Sequence, residues 1–362
     1  MALTQEENTV PETKVLAVAS HVSYGFVGNT MATFVMQCLG CEVAGINTVH
    51  YSNHTGYRQV KGTKTTAEEV RTLYEGLTQN YLTDFDVLLS GYAPTAAVVE
   101  AVGDIAQDLK RRAEGKPGSF FWILDPVMGD LGRLYVAEDV VPAYKKAVHH
   151  ADLILPNQFE TEILSGIKIN NTTDLANAIT SIHKTYGVPH IIVTSVQLSS
   201  LGSSTPSGLM TVIGSTVRSD GSPRLFRVDI PALECNFNGT GDMFAALTVA
   251  RLREAVYATG PTLRNTKSWV SADDVSPTEL PIAKSTEKVL SSMHAILLKT
   301  MEAREVELAA TANTIDPAGL TEEQFQFREH LRRTKAAEVR VIRHADHLRN
   351  PTSMFKAQAW VE

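Results

Sequence analysis

Cysteine is scarce in this chain, with three in 362 residues. Three cannot build a disulfide framework, so a reducing compartment is the simplest setting. Cys38 and Cys41 do have C-x-x-C spacing, but Cys38 falls in the helical stripe Met31, Phe34, Val35, Cys38, Leu39, and no second pair completes a metal site. Both are expected in the core. No apolar run approaches the ~18 residues of a membrane span. Residues 1–12 are polar and acidic, unlike a secretory signal or a transit peptide. The cytoplasm is therefore the expected location, with the nucleus also open to the protein, and the sequons at Asn53 and Asn238 carry no glycan there. A strong excess of one charge is lacking too. The net charge is −7 with 20% of residues charged, which argues against nucleic acid or an anionic membrane as partner. Internal repeats and low-complexity tracts are absent. So are the G-x-x-x-x-G-K-[ST] loop of P-loop proteins and the H-R-D and D-F-G sets of protein kinases.

What is present is alternation. Short apolar runs at 15–19, 43–46, 87–89, 120–124, 153–155, 191–194, 210–213 and 225–228 read as strands. Helical patterns lie between many of them, at 28–39, 66–79, 96–112, 139–149, 159–165 and 174–186. Strands apolar on both faces and separated by helices specify an α/β fold, a mostly parallel sheet covered on two sides. Right-handed crossovers place ligand sites at the carboxyl ends of such strands. The expectation is one domain over 1–362. The polar stretch 259–285, with Gly260, Pro261, Pro277 and Pro281, reads as a surface insertion, and 311–362 as a polar, solvated helical region.

The run Asn238, Gly239, Thr240, Gly241, Asp242 leads directly into the helical stripe Met243, Phe244, Leu247, Ala250. Two glycines around a threonine let the backbone close into a concavity of amides, and the helix start adds its unpaired N–H groups and positive dipole end. Such a pocket stabilises an anion or the charge on a transferring phosphoryl group. Asp242 at its rim is placed to take a proton from an attacking hydroxyl. Read alone, the same run is equally a glycine turn with an N-cap aspartate. Polar and glycine residues also follow the other strands: Ser20 and His21, Asn47, Ser90 to Tyr92, Asp125 and Pro126, Pro156 and Asn157, Thr194 and Ser195. Six such clusters on one edge read as an active-site rim rather than six unrelated turns.

Seven stretches then carry a resemblance: SHVSYGFVGN at 20–29, SNHTGY at 52–57, SGY at 90–92, DPVMGD at 125–130, PNQFE at 156–160, TS at 194–195 and GTGD at 239–242. In this order they resemble the pyridoxal kinases of the ribokinase superfamily, over roughly residues 14–255. GTGD marks only the superfamily; SNHTGY together with PNQFE is far more specific. The resemblance implies a ribokinase-like three-layer sandwich and transfer of the ATP γ-phosphoryl group to the 5′-hydroxymethyl of pyridoxal, pyridoxine or pyridoxamine. It implies Asp242 as the base, with Gly239, Thr240 and Gly241 around the phosphoryl group. Asp125, Asn157 and Glu160 would serve MgATP, with Asp125 and Glu160 nearest the metal and Phe159 turned inward between them. Thr194, Ser195 and Thr240 would bond ATP phosphates, and Ser20, Tyr51, Thr55 and Tyr92 the vitamer. A monovalent cation such as K+ and a homodimer are implied as well. His21 and His54 are expected to hold hydrogen bonds rather than act as bases, and Gly25 and Gly28 to turn the chain into the first helix.

Two positions depart from the pattern: Leu155 stands where a threonine is common, and Asn238 where a β-branched apolar residue is. Two other readings fit much of the chain. One is a kinase of hydroxymethylpyrimidine or a sugar, against which SNHTGY argues. The other is a non-catalytic vitamer-binding protein, against which the complete Asp242, Gly239–Gly241, Asn157 and Glu160 set argues.

Overall fold

The computed structural model describes residues 10–202, 208–312, 314–315 and 318–360. Most of the polar N-terminal segment, residues 1–9, therefore lies outside the described residues. The strands are β1 (Thr13–Val22), β2 (Cys41–Tyr51), β3 (Gly62–Lys64), β4 (Val87–Ser90), β5 (Phe121–Leu124), β6 (Gly129–Asp130), β7 (Arg133–Leu134), β8 (Leu153–Ile154), β9 (His190–Val196), β10 (Leu209–Val217), β11 (Pro223–Pro231) and β12 (Gln358–Ala359). The helices are α1 (Gly28–Cys38), α2 (Ala67–Gln79), α3 (Ala96–Arg112), α4 (Val140–Val148), α5 (Gln158–Ser165), α6 (Thr172–Tyr186), α7 (Thr240–Thr259), α8 (Pro261–Arg264), α9 (Pro281–Ala310), α10 (Glu322–Ala336) and α11 (Asp346–Arg349).

Ten strands form one sheet in the order β12-β11-β10-β9-β8-β5-β4-β1-β2-β3. The run from β2 through β1, β4, β5 and β8 to β9 is parallel, and both margins are antiparallel. Alternation along β1 shows why both faces are apolar. Val15 and Ala17 join one core with Met31, Val35, Leu247 and Leu290, while Leu16 and Val18 join the other with Val98, Tyr144 and Ile179. Helices α1, α7 and α9 thus cover one face, and α3, α4 and α6 the other. Local chemistry starts and stops the helices. Thr66 and Glu69 form a capping box at α2, Asn171 caps α6, and Gly187 ends it at φ +68°.

The stretch 259–285 is not confined to the surface. Trp269 is buried and stacks on Phe121 at 4.1 Å, its indole N–H donating to the Gly118 carbonyl. Ser268 donates to buried Asp152, and Arg224 donates to the carbonyls of Ser271 and Ala272. The segment thereby seals the amino-terminal end of the sheet, away from the expected rim, and its last residues, Pro281 to Ser285, open helix α9. The C-terminal region also differs from the expectation. Helix α10 is charged and largely exposed, but Ala336, Ala337, Val339, Val341 and Leu348 are buried, and β12 adds a strand beside β11. Cys41 is core as expected, and burial pushes its thiol up to about 12, whereas Cys38 is only half-buried.

Candidate active site

The chain leaves β1 toward β2 on one side and β4 on the other, so the carboxyl ends of β1 and β4 border the crevice where open α/β sheets take ligands. Ser20 sits there at the end of β1. Gly28 at φ +52° brings the start of α1 so close that a Cβ would lie 2.0 Å from the Ser20 carbonyl oxygen. Asn29 bonds the Ile46 carbonyl and the Asn47 side chain, fixing α1 to β2. Tyr51 ends β2, and Tyr92 follows β4, its carbonyl accepting from Thr48 at 2.7 Å. The two phenols are near enough that Tyr51 adds to the effect of burial in raising the Tyr92 pKa. Thr55 lies exposed on a short 3-10 turn, Thr55–Tyr57, whose Gly56 packs beside the Asn238 side chain.

Helix α7 starts at Gly239, which is left-handed at φ +79° and offers no side-chain cap. A Cβ there would lie 2.1 Å from the Phe26 carbonyl oxygen, so the position requires glycine. Thr240 and Gly241 stand too early in the helix to reach an intrahelical carbonyl, and both line a cavity of about 750 Å³. Its lining has a polar set, Thr194, Ser195, Thr240 and Gly241, and an apolar set that includes Phe159, Ile230, Phe237, Leu290 and Leu297. A phosphate chain fits the first and a flat heterocyclic base the second. Leu155, one of the departures, is buried in the core and offers this cavity nothing.

Three carboxyls converge beside Gly241. Asp242 is pushed above its ordinary range by burial, opposed by hydrogen bonds from its own amide and that of Gly28. Asp125 is raised further, by burial first and then by Glu160 and Asp242; its Oδ2 lies 3.8 Å from where a Gly241 Cβ would stand. Burial raises Glu160 to about 7 although three amides oppose it. Those amides belong to Met128, at 2.8 Å, to Gly129, at 3.4 Å, and to Asn157, at 2.9 Å. Asn157 caps α5 reciprocally and donates to the Gly129 carbonyl. The pair is thus a complete capping box, and Glu160 has no oxygen free of a backbone donor. Among the described residues no group of three or more His, Cys, Asp or Glu side chains is arranged to hold a metal alone. A cation here would need phosphate or water oxygens beside Asp125.

The rim therefore gathers Ser20, Asp125, Asn157, Glu160, Gly239, Thr240, Gly241 and Asp242, with Thr194 and Ser195 along the cavity. His21 bonds Thr30, and His54 bonds Glu338 at 2.9 Å. Sequence reasoning missed Glu338, which lies 284 residues from His54 in a region read as solvated surface. The apolar residues around it, Ala336, Ala337, Val339 and Val341, were its one local signal.

Such a rim, able to hold a phosphate chain at a helix start with a carboxyl facing the gap, defines a class: the ribokinase-like small-molecule phosphotransferases. A family model described as phosphomethylpyrimidine kinase matches residues 32–280. A putative pyridoxal kinase of Schizosaccharomyces pombe is 36% identical over 80% of this chain and 86% of that protein. Human pyridoxal kinase is 35% identical over 82% and 88%, respectively. The structure of Leishmania donovani pyridoxal kinase with ADP and pyridoxamine superposes with a TM-score of 0.75 at 28% identity, covering 96% of this chain and all of that one. The chain belongs to the pyridoxal kinase family.

Proposed function

We propose that this protein phosphorylates the 5′-hydroxymethyl of pyridoxal, pyridoxine or pyridoxamine with ATP, and that Asp242 is its base. The observation that carries the residue assignment is the uncapped start of α7 with the Asp242 carboxyl at its edge. The alcohol proton passes to the Asp242 carboxylate as its oxygen bonds the γ-phosphorus, and the bond from that phosphorus to the ADP oxygen breaks. A carboxyl raised above its ordinary range is a stronger base once ionised. Gly239, Thr240 and Gly241 stabilise the charge spread over the transferring oxygens, a contribution worth on the order of 100-fold or more in rate. Thr194 and Ser195 bond the remaining phosphates, and Ser20, Tyr51, Thr55 and Tyr92 hold the pyridine ring.

Magnesium fits this donor set, because Asp125, Glu160 and Asp242 crowd negative charge that a cation relieves. It supplies charge neutralisation across the phosphates. Asp125 would hold it, directly or through water, while Glu160 acts through its charge and by fixing the Met128–Gly129 backbone. Activation by K+ and a homodimer with one site per subunit complete the reading; replacement of K+ by Na+ and light scattering check them. The family model's description, phosphomethylpyrimidine kinase, makes a pyrimidine alcohol the competing substrate class, which hydroxymethylpyrimidine tests. Assaying ATP-dependent phosphorylation of pyridoxal, pyridoxine, hydroxymethylpyrimidine and ribose, with and without magnesium, decides. Preference for either of the last two overturns the proposal.

A further inference from the structure

The Glu338 carboxylate joins the C-terminal region to both loops around the alcohol side of the rim. Its Oε1 accepts from Tyr57 Oη at 2.8 Å and from His54 Nε2 at 2.9 Å. The carboxyl also lies against Gly25, where a Cβ would meet Oε2 at 2.8 Å, and the Phe26 amide donates to it. Phe26 is the residue whose carbonyl abuts Gly239. One acidic side chain therefore ties the turn that presents Thr55 to the strap that sets the height of Gly239. A second bond from the same region supports the turn: His330 Nε2 donates to the Gly56 carbonyl at 2.9 Å.

The chemistry fixes more than position. A carboxylate only accepts, so His54 carries a proton on Nε2. His54 is 7% exposed, its ring lies 4.7 Å from that of Tyr57, and its Nδ1 has no partner among the described residues. That nitrogen and the Asn238 side chain both crowd the same point beside Gly56, each about 2.8 Å from where a Gly56 Cβ would stand. The turn is thereby set against the start of α7, with no room for a side chain between them.

We propose that Glu338 is a positioning residue for the alcohol substrate, holding the Thr55 turn and the Phe26 strap in the register that lets the alcohol bind beside Asp242. The proposal rests on Thr55 contacting the alcohol, as in the function above. It predicts a division between the two substrates, since none of Gly25, Phe26, His54 and Tyr57, which Glu338 meets, lines the nucleotide cavity.

The experiment is steady-state kinetics on Glu338→Ala, Glu338→Gln and Tyr57→Phe, varying pyridoxal and ATP separately. Glu338→Ala should raise the KM for pyridoxal at least ten-fold, with the KM for ATP within two-fold. Glu338→Gln, which keeps one acceptor for the turn, should fall between it and the wild type. Tyr57→Phe removes a single hydrogen bond without changing shape, so it folds even if Glu338→Ala does not, and should raise the pyridoxal KM about three- to five-fold. The double variant Tyr57→Phe with Glu338→Ala should be no worse than Glu338→Ala alone. Equal rises in both KM values, no change in Tyr57→Phe, or effects that multiply would overturn the proposal. Should the wild type prefer another alcohol, the vitamer reading fails while the same division is read on that alcohol. Should it turn over none, calorimetric titration with pyridoxal and with ADP reads the same division as affinities.

Discussion

The two ends of this sheet treat buried charge in opposite ways. At the amino-terminal end the buried charges of Asp152, Arg224 and Arg253 each have partners aimed at them. Asp152 accepts from Lys110, Ser268 and the Trp122 amide. Arg224 is surrounded by the carbonyls of Thr216, Ser271 and Ala272, and Arg253 bonds Thr13 and packs over Tyr257. At the carboxyl end Asp125, Glu160 and Asp242 are pressed together with no side-chain cation among the causes of their shifts. A fold that satisfies charge so thoroughly at one end has the means to do so at the other. The crowding at the rim is thus a property of the site, offset by stability built elsewhere.

Removing a rim charge should break this contrast most visibly. Asp242→Asn is expected to lower kcat by 100-fold or more, the order typical of a lost general base, with the KM for ATP within a few-fold. The same variant should melt higher than the wild type at pH 7 without ligands. A rate near that of the wild type would show that the proton goes elsewhere. At the other end, Asp152→Ala should cost about 3–5 kcal/mol in urea unfolding, since it strands Lys110 and two buried donors, yet leave both KM values unchanged. Any large kinetic effect would mean that the ends are coupled.

Acidity sharpens the comparison. His183 and His190 are buried, and burial lowers both to about 4. The unfolded chain therefore binds more protons below pH 6.5, and stability is lost as pH falls from there through 4, by up to about 3 kcal/mol per histidine. Glu160, raised to about 7, carries the opposite sign. Its contribution is fully present below pH 4.5 and is lost as pH rises through 7. Melting curves from pH 4 to 8 should show both limbs. The smallest effect is expected from Asp125→Asn, which relieves part of the crowding on its neighbours and should flatten the limb above pH 5 while leaving the acid limb intact. Unchanged limbs would place the pH dependence outside these groups.

Most of the sheet and most of the rim were legible in the sequence because both are written locally. Val15 to Val18 alternates between two cores within four residues, and the Asn157–Glu160 box closes within four as well. Glu338 was not legible, since its meaning lies in Tyr57 and His54, 281 and 284 residues away. Trp269 misled for the same reason. Its polar, proline-rich surroundings read as surface, whereas its partner Phe121 lies in a distant strand. Strands β3 and β12 are too short, at three and two residues, to show any period. Glu160 illustrates a different limit: the resemblance implied a metal-side carboxylate, and only the hydrogen bonds revealed how fully a capping box occupies its oxygens.

The strand order has a consequence for how the chain is made. Among the described strands β1 comes first in the chain yet lies inside the sheet, and each later strand of the large sheet pairs with one that precedes it. Growth can run outward from β1, first to β2 and β3, then across β4, β5, β8, β9, β10 and β11. Every partial sheet would offer an open edge to the strand that comes next. The two residues of β12 then cover part of the β11 edge.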